Sequence, residues 1–276
     1  VIIMEMVGQE YDQYFYPTFS GVAQSYNYYP VSYMHREEGI AFTALGLGRT
    51  IVEGGNALRF SPKYPNVLPQ FFSIKSTLAN SQNTFFALNL NNGGNPLQNG
   101  ESSNLEQLHL EDAEKHGSLK FTASVICNED NIIRDSLKNK GRRVITFSSI
   151  LKYKSFPLSS ILQDILEFGQ SAMGCPVEIE FAVNMYNTPE IKDEFYLLQI
   201  KPMVVRGLLQ SANLTKNKKE DILCRSKIVL GDGIIDTIYN IIYIDIDAFD
   251  RSNTRNIAKE IELFNRQLGS ENPYLL

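Results

Sequence analysis

From Pro176 to Asn184 the chain reads Pro-Val-Glu-Ile-Glu-Phe-Ala-Val-Asn, an alternation that leaves little room for anything but a strand with two unlike faces. Val177, Ile179, Phe181 and Val183 point one way, and Glu178, Glu180, Ala182 and Asn184 the other. A second run follows, Phe195-Tyr196-Leu197-Leu198-Gln199-Ile200-Lys201-Pro202, in which Leu198 and Ile200 share one face and Gln199 and Lys201 the opposite one. With Met185 to Glu194 as the connection, the runs pair antiparallel. Two carboxylates, a carboxamide and an amine then converge on one side of a hairpin. Two chemistries fit. One is a solvated sheet face with a Glu–Lys cross-strand pair contributing about 0.2–1 kcal/mol. The other is a nucleotide–metal site: Mg²⁺ takes hard carboxylate oxygens, usually one or two per ion, and substrate phosphates complete its shell. A nearby amine and amide then offset phosphate charge.

The same residues carry a resemblance. Glu178-Ile179-Glu180-Phe181, then Tyr196-Leu197-Leu198-Gln199-Ile200-Lys201-Pro202, is similar to the end of the nucleotide-binding domain of the phosphoenolpyruvate synthase and pyruvate phosphate dikinase family. The family's pattern is an acidic residue, Ile, Glu and an aromatic, then Leu-Gln-x-Arg-Pro. Its fold is ATP-grasp, and the resemblance implies Mg²⁺ and ATP as ligands. It implies Glu180 as the metal ligand, Glu178 assisting it, and Gln199 beside the phosphates. Gln199 and Lys201 become the candidate catalytic residues, with Lys201 where the family has Arg. Lysine keeps the charge but lacks the bidentate fork.

Three further stretches resemble the family more loosely. Val1-Ile2-Ile3-Met4-Glu5-Met6-Val7, an apolar run expected to form a buried strand, is similar to the strand joining the two ATP-grasp lobes. Backbone groups near Glu5 and Met6 would there face adenine. The implied expectation is a second lobe whose first lobe, with a phosphohistidine domain, belongs to a longer protein. Ser20-Gly21-Val22-Ala23 resembles the start of Gly-Val-Ala-Phe-Thr-Arg-Asn-Pro but continues Gln24-Ser25-Tyr26-Asn27, without the Thr-Arg pair. Ala44-Leu45-Gly46-Leu47-Gly48-Arg49-Thr50-Ile51-Val52-Glu53-Gly54-Gly55 resembles Gly-Leu-Gly-Glu followed by Val-x-Gly, with Arg49 replacing Glu. That exchange reverses a charge, so no binding role passes to Arg49. The segment is neither a dinucleotide fingerprint, with Ile51 where the third Gly belongs, nor a P-loop. Arg59 to Pro65 reads as a rigid, proline-punctuated loop.

Composition bounds the partners. A chain of 276 residues suggests one large domain plus a smaller piece. A net charge of −5 and a pI near 5.4 argue against a nucleic-acid footprint. Cys127, Cys175 and Cys224 are widely spaced with no CxxC, so neither a disulfide framework nor a zinc site is indicated. No apolar run is long enough to span a membrane and no leader is visible, so a reduced cytoplasm is the expected location.

The remaining chain supplies scaffold. Tyr11, Tyr14, Phe15, Tyr16, Phe19, Tyr26, Tyr28, Tyr29 and Tyr33 are expected to pack core and loops, because aromatics bury large areas and no basic residue interleaves before His35 and Arg36. Leu88 to Asn104 is expected to be a polar loop. His109 and His116 are expected as isolated surface histidines, and Asn139 to Arg143 as a solvated basic turn. Leu119 to Cys127 and Arg143 to Phe147 read as strands. Pro157 to Gly174 is the clearest helix, capped by Ser159 or Ser160, with Ile161, Ile165, Leu166 and Phe168 on its apolar face. Further on, Ile238 to Ile246 reads as a strand and Ser252 to Leu268 as an amphipathic helix stopped by Gly269.

The expected fold is therefore α+β (or α/β): an ATP-grasp-like C-terminal lobe with an antiparallel sheet and packed helices, plus a small α/β segment. The expected boundaries are a lobe over 1–207, a linker over 208–220 and a partial module over 221–276. The function expected is Mg²⁺-assisted phosphoryl transfer from ATP, in the family to a carrier His and then to pyruvate, with that acceptor outside this chain or lost. The alternative is a regulatory or binding module that keeps the fold without catalysis, favoured by Arg49, Lys201 and Ser25-Tyr26 at three altered motif positions.

Overall fold

The two alternating runs become the longest strands in the computed structural model, which describes residues 4–31, 34–91, 103–127, 132–188, 190–203, 222–223, 236–245, 247–269 and 272–276. The chain divides into units 1–204 and 205–276. The first unit runs β1 (Gln9–Tyr11), β2 (Tyr14–Tyr16), β3 (Phe19–Gln24), β4 (Ile40–Leu45), α1 (Arg49–Val52), β5 (Leu58–Phe60), α2 (Ile74–Asn80), β6 (Thr84–Asn89) and β7 (Leu105–His109). It continues with α3 (Leu110–Lys115), β8 (Ala123–Cys127), β9 (Ile132–Arg134), β10 (Arg142–Ile145), α4 (Ser148–Leu151), α5 (Leu158–Met173), β11 (Val177–Asn184) and β12 (Glu194–Pro202). Its sheets are antiparallel, in the orders β12-β11-β3-β4-β5, β1-β2-β6-β7 and β10-β8-β9. This mixture of helices and antiparallel sheets is the α+β class expected.

The five-stranded sheet positions the site. On one face of β11, Val177, Ile179, Phe181 and Val183 are at most 1% exposed. Helix α5 covers that face with Leu158, Leu162, Leu166 and Gly169, which recur at helical spacing. Each large apolar side chain so buried contributes roughly 1.5–3 kcal/mol. Gly169 brings the helix close: a Cβ there would lie 2.6 Å from Ile200 Cδ1. Glu178 and Glu180 are thereby turned to the uncovered face.

Several expectations are corrected. Residues 4–7 lie outside any strand, and Met4 and Met6 are exposed; among the described residues no strand pairs with them, so apolar composition alone does not make a strand there. No serine caps α5. Pro157 occupies the cap position, and Ser160 Oγ instead donates back to the Pro157 carbonyl at 2.9 Å. Phe168 is 76% exposed, because two residues beyond Leu166 is nearly the opposite side of a helix. Gly174 stops the helix with φ 66°, as anticipated. Leu88 and Asn89 belong to β6 rather than to the loop, and residues 92–102 lie outside the described set. Leu119–Phe121 is a 3₁₀ turn before β8, and Phe147 follows β10 at φ 54° instead of extending it.

In the second unit, the strand expected over 238–246 shrinks to β13 (Asn240–Ile241), paired parallel with β14 (Tyr274–Leu275) around α6 (Thr254–Leu268). A 3₁₀ turn at Arg251–Asn253 precedes α6, which therefore starts later than expected. The linker expected over 208–220 and the residues Tyr33 and Cys224 lie outside the described set. Among the described residues no helix is long and apolar enough to cross a membrane.

A contact sensitive to a single methyl group lies beneath Phe181. Gly21 faces it across the β3–β11 ladder, and a Cβ on Gly21 would stand 2.1 Å from Phe181 Cζ. Gly21→Ala is expected to cost about 1–3 kcal/mol through overpacking. Urea unfolding should show a lowered midpoint, and adding Phe181→Leu should return part of the loss through coupling between touching residues. An unchanged midpoint for the single variant would contradict this packing.

Candidate functional site

The β11–β12 register sets Glu178 opposite Lys201 and Glu180 opposite Gln199. Just beyond, it slips by one residue: Phe181 pairs with Leu197, leaving Leu198 as a bulge. On the other edge of β11, Glu178 faces Gln24 and Glu180 faces Val22. The two acids and Lys201 converge, and Gln199 stands opposite Glu180 in register. Lys201 Nζ lies 2.8 Å from Glu178 Oε1 and 3.3 Å from Glu180 Oε1. Gln24 Nε2 donates to Glu178 Oε2 at 2.6 Å.

These contacts separate the two acids. Both oxygens of Glu178 are engaged, and its side chain is 21% exposed; Glu180, at 39%, is held among the described residues only at Oε1, by the longer Lys201 contact. Glu178 is thus the more tightly held of the two, and Glu180 the one with more oxygen lone pairs left over. Burial pushes the Glu178 carboxyl upward, but the hydrogen bonds from Lys201 and Gln24 outweigh it and hold the group below its ordinary value. The same pairing, led by the Glu178 hydrogen bond, raises the Lys201 ammonium.

The face continues across the sheet. Gln199, Glu180, Val22, Phe42 and Arg59 form one register row, and Lys201, Glu178, Gln24 and Ile40 the next. At about 4.8 Å per strand the first row spans roughly 19 Å. Gln24 was not among the residues that sequence reasoning selected. Its only signal is a place in the β3 alternation, which acquires meaning once β3 is known to border β11.

Other selected residues lie elsewhere. Glu5 and Met6 are exposed in the unpaired segment before β1. That segment is tied to the far end of β11, where Asn184 Nδ2 donates to the Gly8 carbonyl at 3.2 Å. Glu5 sits on the β12 side: the Tyr196 phenol is pushed up to about 12 by its hydrogen bond to Glu194 and by burial, and the charge of Glu5 adds to this. Arg49 is turned to Glu53, at 2.6 Å, and over the Phe86 ring, at 5.6 Å. Ser25 closes the β3–β11 ladder, its buried Oγ accepting from Val177 N at 2.9 Å.

His109 and His35 are exposed, but His116 corrects the expectation of a surface histidine. It is half-buried, stacked on Tyr11, and its Nδ1 lies 2.8 Å from the Tyr16 hydroxyl. The aromatics of β1 and β2 capture it, and burial lowers its pKa. A cavity of about 760 Å³ lies away from Glu178 and Glu180, between Glu37, Glu38, Lys63 and the C-terminal half of α5. The carboxylate site is an open sheet face.

Two carboxylates converging on one cation suit Mg²⁺, which takes one or two from the protein and completes its shell with phosphates and water. Among the described residues no cluster of three or more His, Cys, Asp or Glu forms a closed metal cage.

Lys201→Met should raise the Glu178 carboxyl pKa toward its ordinary value, read by ¹³C NMR of the side-chain carboxyl. The sign follows from linkage. A depressed carboxylate stabilises the fold fully above the ordinary value near 4.5, and that contribution fades as pH falls through the lower folded value. The variant should therefore lose less stability on acidification. An unmoved Glu178 titration would show that Lys201 does not govern it.

A family model for the pyruvate phosphate dikinase AMP/ATP-binding domain matches residues 1–222. No curated protein matches the chain. The family match covers most of the 276 residues, and the chain belongs to that family.

Proposed function

We propose, from that membership, that the domain binds Mg²⁺–ATP on the β12–β11–β3 face and serves phosphoryl transfer. The observation that carries the reading is the convergence of Glu178 and Glu180 on a single ammonium, a cation already held where a metal would be held. Glu180 is the metal ligand, and Glu178, fixed by Gln24 and Lys201, assists it. Mg²⁺, when bound, supplies charge neutralisation across the phosphate oxygens. Gln199, opposite Glu180, presents its carboxamide toward the phosphates. Lys201 contributes a point charge that can turn from the carboxylates to a phosphate oxygen, without the two-pronged grip of arginine. Backbone groups near Glu5 and Met6 take the adenine. The proposed acceptor is a carrier histidine, as in the family.

A second reading has its own support. Lys201 bridges both acids and thus competes with a metal, while Arg49 is spent on Glu53 and Phe86. Those features favour a nucleotide-binding module without turnover. The two readings share the binding step and part at phosphate release, which a metal-dependent ATPase assay reads directly.

Glu180→Gln is expected to weaken Mg²⁺–ATP binding about tenfold or more, equivalent to about 1.4 kcal/mol. Stability should stay within about 0.5 kcal/mol, as for most surface exchanges. Calorimetric titration and thermal melting test both halves. Wild-type nucleotide affinity in the variant would remove Glu180 from the ligand set.

A further inference from the structure

Arg59 stands on β5 at the opposite end of the row that begins with Gln199 and Glu180, beyond Val22 and Phe42. Its Nη2 donates to Asn27 Oδ1 at 3.2 Å and to the Tyr29 carbonyl at 2.5 Å. Both acceptors are neutral. Among the described residues no carboxylate pairs with Arg59, and burial alone acts on its pKa, pulling it down. A partly desolvated guanidinium without a counter-charge is costly to keep.

Its neighbours share the deficit. Asn27 is 1% exposed, and its Oδ1 accepts from both Arg59 and Tyr29 N, the latter at 3.0 Å. Two donors on one atom identify it as the oxygen, so the group left without a partner is the Nδ2 donor. Ser61, fully buried and two residues from Arg59, likewise carries a hydroxyl without a partner. Arg59 and Ser61 line a cavity of about 70 Å³ together with Gln70 and apolar residues such as Met34, Ile40 and Phe60, and Asn27 adjoins it through its hydrogen bond to Arg59. A guanidinium without a counter-charge thus touches Asn27 and shares a cavity wall with Ser61, and the Asn27 carboxamide N–H and Ser61 hydroxyl lack acceptors. An oxyanion supplies what each lacks.

We propose that Arg59, with Asn27 Nδ2 and Ser61 Oγ, binds the oxyanion of a phosphate group at the β5 end of this sheet face. The site stands on its own geometry and does not require Glu178 and Glu180 to hold a metal. The phosphate can belong to the nucleotide or to a second phosphorylated substrate. Either source presents the same chemistry to these donors.

The test is an NMR titration of the full chain with inorganic phosphate in metal-free buffer, following the Arg59 Nε–H and Asn27 carboxamide signals. Saturable shifts of both are expected. Arg59→Gln should weaken phosphate at least about tenfold, since a charge-assisted contact is lost. Asn27→Asp guards against a folding defect, because it keeps an oxygen for Tyr29 N and Arg59. It gives the guanidinium its missing carboxylate, and so should likewise weaken phosphate about tenfold or more. Glu180→Gln separates this site from the metal site, affecting Mg²⁺–ATP while leaving the phosphate titration intact. Displacement of phosphate by metal-free ATP assigns the anion to the nucleotide; retention assigns it to a second substrate. If the wild type shows no saturable shift, or if both folded variants bind phosphate like the wild type, water alone fills these positions and the proposal fails.

Discussion

Everything functional here depends on β11 being hydrogen-bonded on both edges in one register. Its alternation puts Val177, Ile179, Phe181 and Val183 under α5 and Glu178 and Glu180 on the uncovered face. A slip of one residue would bury the two carboxylates beneath a helix and expose four large apolar side chains. Because both alternatives are so unequal in energy, the ladder fixes the acids as firmly as any loop or cofactor could. The chemistry is carried by rigid backbone, and side-chain adjustment is confined to the last few atoms of Lys201 and Gln24.

The strength of the Lys201 bridge is modest by design of its surroundings. Lys201 is 45% exposed, and ion pairs open to water are worth about 0–1 kcal/mol. Glu178 is the more sheltered partner and has a second donor in Gln24, so releasing Lys201 does not leave it stranded. A weak bridge between well-placed groups is what a site needs if a ligand is to replace one of them. It also explains why the same geometry serves a binding module and a transferase equally well.

How much of this was legible beforehand follows from what each feature depends on. The hairpin was legible because period-two alternation, over the 8 residues of β11 and from Leu198 to Lys201 in β12, is a local property. So was the end of α5 at Gly174, where a left-handed residue is required. Gln24 and Arg59 were not, because their meaning lies in which strands become neighbours: β3 borders β11 across more than 150 residues of sequence. The segment around Glu5 was misjudged since its apolar residues offered composition without a partner, and Phe168 since its place on the helix outranks its hydrophobicity. His116 was hidden for a related reason: Tyr11 and Tyr16 reach it from about a hundred residues away.

The bulge at Leu198 changes the parity of β12. Counted strictly by twos, a strand that shows Lys201 and Gln199 to one side must show Leu197 and Phe195 to that side as well. The extra residue reverses the count, so Leu197 and Phe195 are paired with Phe181 and Val183, and the Phe195 ring stacks on Phe181 at 5.3 Å. One strand therefore serves two masters, a charged half facing the acids and an aromatic half anchoring the core. Length at this position is consequently information: among related sequences, a one-residue gap here marks a protein in which either the cation or the anchor has been given up, whatever amino acids remain.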